Sequence, residues 1–236
     1  MDDGISETID AFHRGRFHII QPKGRGHRAG MDAMLLASLV ADDRPCRIAD
    51  LGAGAGAAGM AVAARLEKAR VTLYERSPEM AQFARRSLEL LDNAAFSARV
   101  EVREADVTLR AKARVEAGLP DDHFHHVIMN PPYNDAGDRR TPDALKAEAH
   151  AMTDGLFEDW IRTAGAIMIP GGQLSLISRP QSVAEIIAAC GSRFGGIEIT
   201  LIHPRPGEDA VRMLVTAIKG SRARLSFRAP LIMHET

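Results

Sequence analysis

Apolar residues recur along this chain with two spacings: every second position in short stretches, every third or fourth in longer ones. The two spacings take turns for most of its length. Helical spacing covers residues 32–41 (DAMLLASLVA), a short strand follows at 46–50 (CRIAD), and an alanine-rich helix spans 55–68. The next strand is 71–74 (VTLY). Ser77 is then an N-cap, with Pro78 at the first helical position and Glu79 in the first turn, which predicts a helix to about residue 91. Residues 99–103 (RVEVR) alternate as a strand, 127–129 lie in another, and the polar stretch 134–148 reads as a loop or lid. A helix passes through Trp160, Gly171-Gly172 makes a turn, and 173–178 (QLSLIS) is a strand. A helix at 183–189 precedes two strands, 197–202 and 212–217, joined by a loop rich in proline and glycine.

Strands alternating with helices predict an α/β fold, a doubly wound and mostly parallel sheet with right-handed crossovers. The last two strands have no helix between them, so they form an antiparallel pair at one edge. No internal repeat or low-complexity tract divides the chain, and a single domain is expected. Residues 46–220 make its core, 1–45 an N-terminal extension packing on it, and 221–236 a C-terminal tail.

Composition narrows the class. The 236 residues are 45% hydrophobic and 26% charged, enough apolar side chain for a globular core. Two cysteines, Cys46 and Cys190, make neither a disulfide scaffold nor a zinc ribbon. No apolar run approaches a membrane span and MDDGISETID lacks the features of an export signal, so a cytoplasmic protein without membrane contact is expected. Thirty basic residues against 31 acidic ones exclude attachment to nucleic acid by overall charge. The distribution is uneven, however. Between Asp10 and Asp32 no acid occurs, while Arg14, Arg16, Lys23, Arg25 and Arg28 do, an arm suited to phosphate or a plain solvated segment.

The candidate chemistry begins at Asp50-Leu51-Gly52-Ala53-Gly54-Ala55-Gly56, on a strand-to-helix junction where open α/β sheets bind ligands. Gly52, Gly54 and Gly56 let the backbone turn sharply, and the helix N-terminus that follows favours negative charge. Glu75 ends the next strand, placed to accept both hydroxyls of a ribose. Gly52, Gly54 and Ala57 also satisfy a dinucleotide pattern, with Glu75 at close to the roughly 20-residue spacing of NAD sites. Two residues tilt the reading to S-adenosylmethionine (SAM). Asp50 suits water or an ammonium group and would crowd a pyrophosphate; Asp106, after a third strand, suits an adenine amino group.

Asn130-Pro131-Pro132-Tyr133 follows the strand at 127–129. Each proline drives its predecessor out of the helical region, so the backbone leaves the strand stiff and extended. Neither proline has an N–H, which leaves the carbonyls free to face a ligand. The Asn130 side-chain oxygen and the Pro131 carbonyl suit the two hydrogens of an exocyclic NH₂, and Tyr133 offers a stacking face. Held this way, a planar nitrogen is drawn toward tetrahedral geometry and the charge that develops on it is stabilised. This chemistry favours methyl transfer to nitrogen.

These segments resemble the class I SAM-dependent methyltransferases whose NPPY motif methylates adenine N6 or glutamine N5. Together with IIQPKGRGHRAGMDAMLLASLV, VIMNPPY, LIHPRPG and PLIMHE, the whole chain is similar to the bacterial valine-tRNA adenine-N6 methyltransferases. The resemblance implies a Rossmann-like, seven-stranded sheet, cofactor contacts at Asp50, Gly52, Gly54, Glu75 and Asp106, and base contacts from Asn130 to Tyr133. It departs at His27-Arg28-Ala29-Gly30, where an aromatic usual in the family is replaced. A tRNA partner is expected, with Arg139-Arg140 and Arg205 as further phosphate contacts, and a homodimer is left open. The alternatives are a protein glutamine N5-methyltransferase, a small-molecule O-methyltransferase and an NAD-dependent oxidoreductase. No metal is expected: His123, His125 and His126 form HxHH, but no acid or cysteine completes a ligand set. Trp160, among Leu156, Phe157 and Ile161, is expected to pack on the sheet, and Cys190 to be a filler.

Overall fold

The computed structural model describes residues 6–23, 30–41, 44–132 and 155–234. The chain opens with a hairpin, β1 (Glu7–Phe12) and β2 (Phe17–Pro22), then α1 (Met31–Ser38). Strands and helices alternate next: β3 (Cys46–Leu51), α2 (Ala57–Arg65), β4 (Ala69–Glu75), α3 (Pro78–Leu88), a short α4 (Ala94–Ser97) and β5 (Val100–Glu104). After α5 (Ala111–Glu116) and β6 (Phe124–Met129) come α6 (Leu156–Ile167), β7 (Met168–Ser178) and α7 (Val183–Cys190). The chain ends with β8 (Phe194–His203), β9 (Arg212–Lys219) and two short strands, β10 (Ser226–Phe227) and β11 (Leu231–Ile232).

The main sheet runs β10-β8-β9-β7-β6-β3-β4-β5, with β11 also beside β8. Strands β3 to β7 are parallel, and β9 is antiparallel to both β7 and β8. The expected seven strands form this core; the tail adds two more, parallel to β8. Strand alternation splits the apolar residues between two faces. Ile48, Val71, Leu73 and Ile128 join α1, α2, α3 and β2 in one cluster. Ala49, Leu51, Tyr74, Val127 and Met129 join α6 and α7 in the other.

Three expectations change. The helix from Ser77 stops at Leu88, three residues short, because Asn93 turns back on it. Its side-chain amide donates to the Ser87 carbonyl at 2.6 Å and to the His18 carbonyl at 2.7 Å, while its oxygen accepts the His18 N–H at 2.9 Å. The Gly171-Gly172 turn is a bulge inside one continuous strand, where the register with β6 slips between Phe124 and His126. A side chain at Gly172 would stand 2.9 Å from the His125 carbonyl, so the bulge needs glycine. The 55–68 helix is shorter at both ends, its first residue preceded by Gly56 in the left-handed region.

The N-terminal hairpin is tied to α3 by buried polar groups. Ile20 N–H donates to Ser87 Oγ at 2.9 Å, and Ser87 donates in turn to the Phe83 carbonyl. An exposed bidentate pair, Arg86 to Glu7, adds little. Asp50 makes a second lock. It follows Ile48 on the pleat, so its side chain points at α2, where Oδ2 accepts the Gly59 N–H at 2.8 Å. Gly59 has no room for a side chain there, with Leu73 2.2 Å and Asp50 3.0 Å from where a Cβ would be. Burial pushes the Asp50 carboxyl from 3.8 up to about 7; the Gly59 hydrogen bond opposes this and the Glu75 charge adds to it.

Asn93→Ala is expected to lose about 2–4 kcal/mol of stability, because three buried partners lose their hydrogen bonds. Arg86→Ala should lose less than about 1 kcal/mol, and urea unfolding measures both. Between about pH 4 and 7 the folded Asp50 binds more proton than the unfolded chain. Its neutral form therefore stabilises fully below about pH 4, and that contribution is lost as the pH rises through about 7. Asp50→Asn should flatten this part of the stability–pH curve; an unchanged curve places the titration elsewhere.

Candidate active site

The parallel strands β6, β3, β4 and β5 are neighbours, and they end in register. Met129 pairs with Leu51, Leu51 with Tyr74, and Tyr74 with Arg103. One residue further on stand Asn130, Gly52 and Glu75, in a row across three adjacent strand ends. Strand spacing puts each about 5 Å from the next along the row. Asp50 lies two residues before Gly52, buried inside β3 with its carboxyl on Gly59, whereas Asn130, Gly52 and Glu75 share one edge of the sheet, the carboxyl edge. Their neighbours in the strands are buried, whereas Gly52, Ala53, Gly54, Glu75, Asp106 and Asn130 are all half-buried.

Glu75 holds the glycine turn. It shares a pleat face with Val71 and Leu73, so its carboxylate meets the turn on the α2 side. Oε2 accepts the Gly54 N–H and Oε1 the Ser77 N–H, each at 2.8 Å. Each oxygen keeps a second lone pair for a ligand hydroxyl. The Tyr74 carbonyl accepts the N–H groups of Gly52 and Ala53 at 2.9 and 3.0 Å, which presses the start of the turn onto β4. Asp106 Oδ1 accepts from both the N–H and the hydroxyl of Thr108, at 2.8 and 2.7 Å, so its side chain is held at the end of the β5 segment.

Two contacts escaped the sequence. Trp160, on α6, packs with the face-two cluster as expected, but its ring also lies against Gly52. A Cβ at Gly52 would stand 2.3 Å from the ring, and the residue has φ +69°. Only glycine fits, and no local pattern shows it, because 108 residues separate the partners. Arg162 and Arg110 both bond Asp159, holding its carboxyl below the usual range, and Arg162 also reaches the Thr108 carbonyl. This network fastens α6 to the loop carrying Asp106; the signal in the sequence was only an ordinary i,i+3 pair.

Pro131 is buried and Pro132 exposed. Tyr133, Arg25, Arg28, Arg139-Arg140 and the 134–148 stretch lie outside the described residues. Among the other basic residues, Arg14 and Arg16 are exposed in the β1–β2 turn, and Arg205 pairs with Glu208 in the loop after β8. His125 Nδ1 accepts the Arg47 N–H at 3.1 Å, a structural use of the HxHH segment. Among the described residues no group of three or more His, Cys, Asp or Glu is arranged to hold a metal. Cys190 is buried and its thiol is pushed up to about 11 by that burial, which removes it as a nucleophile at neutral pH. No described helix is long and apolar enough to cross a membrane.

A cofactor with a ribose fits this edge on the chain's own geometry. The backbone of Gly54 is open, with no atom closer than 3.9 Å to a Cβ placed there, and Glu75 and Asp106, at the ends of the next two strands, present half-buried carboxylates. The comparisons agree. The family model for the methyltransferase small domain matches residues 28–199. A crystal structure from Agrobacterium tumefaciens, described as a predicted O-methyltransferase, is 83% identical, with a TM-score of 0.77 over 87% of this chain and 89% of that one. A tRNA1(Val) (adenine(37)-N6)-methyltransferase of Pedobacter heparinus is 26% identical over 87% of this chain and 83% of its own length. A release factor glutamine methyltransferase of Deinococcus radiodurans is 31% identical, over 60% of this chain and 49% of that protein. The chain belongs to the methyltransferase small domain family and is a SAM-dependent methyltransferase.

Proposed function

We propose that the methyl acceptor is the N6 amino group of an adenine in tRNA. Transfer to an amino nitrogen is carried by the ladder register, since Met129 opposite Leu51 puts Asn130 one strand from the glycine turn, and the tRNA acceptor is favoured by the relative named for it. An acceptor held at Asn130 therefore sits beside a cofactor held at Gly52 to Gly54.

SAM, when bound, supplies an electrophilic methyl group on a sulfonium. Glu75 would hold the ribose with the lone pairs its backbone partners leave free, and Asp106 the adenine edge. Asp50, buried, keeps the turn in place through Gly59. Asn130 Oδ1 and the Pro131 carbonyl accept the two N–H bonds of the acceptor. That geometry orients the nitrogen lone pair toward the methyl and stabilises the positive charge that builds as it attacks. Tyr133 would stack on the base. No strong base is needed, because the proton leaves after the new bond has formed; positioning supplies most of the rate.

The relative named for adenine-37 methylation covers most of both chains, which favours a tRNA acceptor. A glutamine amide is a planar NH₂ of the same kind, and the relatives named for release factors favour it as the second reading. Incubation with labelled SAM against total tRNA and total protein, followed by mapping of the label, separates these. Label on a tRNA adenine is expected; label on a protein glutamine or on a hydroxyl overturns the reading.

Two variants test the roles. Asn130→Ala should lower kcat about 10²- to 10³-fold with SAM affinity kept, since one of two fixed acceptors is lost. Unchanged turnover removes Asn130 from the reaction. Glu75→Ala should weaken SAM about 10- to 100-fold by calorimetry, the expected loss for charge-assisted hydrogen bonds. Equal affinity would end its assignment.

A further inference from the structure

The C-terminal tail is a strap along the free edge of the sheet, and nothing in the catalytic row uses it. From Gly220 it runs beside β8 for that strand's whole length. Ala223 accepts the Gly196 N–H at 2.8 Å, Arg228 N–H donates to Ile199 at 2.8 Å, and Met233 N–H donates to His203 at 2.9 Å. The approach is close: a Cβ at Gly195 would stand 2.3 Å from the Ser221 carbonyl. The strap is pinned by its backbone while its side chains are left outside. Phe227 is 65% exposed, and Leu225, Leu231 and Ile232 are exposed with it.

The segment that forms the strap carries charge of one sign. No acidic residue occurs from Ala210 to His234, where Arg212, Lys219, Arg222, Arg224 and Arg228 do. Arg212, Lys219 and Arg228 pair with Asp32, Asp122 and Glu198. Arg222 and Arg224 are exposed and have no carboxylate partner among the described residues. An open strand edge with exposed apolar side chains also invites a second copy of the chain. Two-fold pairing, however, sets the same patch against itself, so strap on strap would bring arginine to arginine.

The ladder places the strap relative to the catalytic row. Met129 pairs with Leu176, Leu176 with Val215, Val215 with Ile199, and Ile199 with Phe227. Phe227 therefore stands level with the residue before Asn130, four strand spacings away, about 19 Å. Because β10 and β11 are parallel to β8, the strap climbs from there toward the same carboxyl edge.

We propose that this strap is an RNA-docking surface, with Arg222 and Arg224 contacting phosphates and Phe227 stacking on an unpaired base a few nucleotides from the target. The proposal rests on the reading that the acceptor is RNA. Arginine on phosphate supplies sequence-independent affinity, and an exposed ring on a rigid strand gives a splayed base a platform. The partly apolar, partly cationic character of the edge is then one surface with one occupant.

The test is fluorescence anisotropy with a labelled, unmodified valine tRNA transcript, between about 50 and 200 mM salt. Wild type is compared with the double variant Arg222→Glu, Arg224→Glu and with Phe227→Ala. Calorimetry with SAM confirms that each variant keeps its fold. Charge reversal should weaken binding at least tenfold and lower the slope of log Kd against log salt by about 2. Phe227→Ala should weaken binding several-fold with the slope unchanged. If wild type binds the transcript and the variants bind it equally, the strap is overturned and the RNA acceptor stands. If wild type does not bind the transcript and label from SAM appears on protein, both readings fall. A dimer in sedimentation that the double variant dissociates would make the strap a protein interface and overturn the proposal.

Discussion

Everything at the carboxyl edge depends on two carboxylates that point the same way off the sheet. Asp50 and Glu75 stand on adjacent strands, and the pleat turns both toward α2, away from α6. There they accept backbone N–H groups from Gly59, Gly54 and Ser77, the donors that a tight turn and two helix starts otherwise leave exposed. The glycine turn is thus held from below by side chains. Burial pushes Asp50 toward its neutral form, and the Glu75 charge adds to that push.

That arrangement explains what was legible in the sequence. The core strands, the Ser77 cap and the glycine turn follow from local spacing, since each depends on neighbours within a few residues. Gly52, Glu75 and Asn130 could be placed at strand ends because strand ends are where apolar runs stop. Their common row required the register, which is a property of the assembled sheet. The N-terminal hairpin was illegible for a different reason. In β1 the usual alternation is inverted: Ile9 is 59% exposed, whereas Asp10 turns inward to accept from Gln21 Nε2 at 2.8 Å. A strand that hides its acid and shows its isoleucine does not look like one. The tail strands gave no signal because each is two residues long and has both residues exposed, with no buried face to impose a period. The contact of Trp160 with Gly52 was hidden by sequence distance, and the Asn93 lock by the hairpin it needs.

Trp160 and Glu75 approach the glycine turn from opposite faces of the sheet. The ring presses on Gly52 from the α6 side, and the carboxylate ties Gly54 from the α2 side. The turn has little freedom left, which suits a reaction in which positioning supplies the rate. A loose turn would spread the cofactor over many orientations, and each added orientation lowers the fraction in line for transfer. The rigidity is distributed over both cores: α6 reaches the Asp106 loop through Asp159 and Arg162, and α2 reaches β3 through Asp50.

The chemistry at Asn130 cannot by itself choose among planar amino groups. On the proposed reading, two fixed acceptors on a stiff proline backbone serve an adenine amino group and a glutamine amide alike, because both present two hydrogens in one plane. Discrimination must therefore come from surfaces the acceptor reaches beyond its reacting nitrogen. A peptide offers such surfaces a backbone and mixed side chains; a folded RNA offers a line of phosphates and bases that unstack. The chain as a whole carries nearly equal numbers of acids and bases, so a polyanion finds no general attraction to it. Attraction must be local, and acid-free runs flank the core at both of its ends. The one that can be followed residue by residue lies on the sheet edge, level with the strand that ends at Asn130. On the proposed reading, specificity is a matter of what the sheet carries at its border, with the centre supplying a reaction common to several substrates.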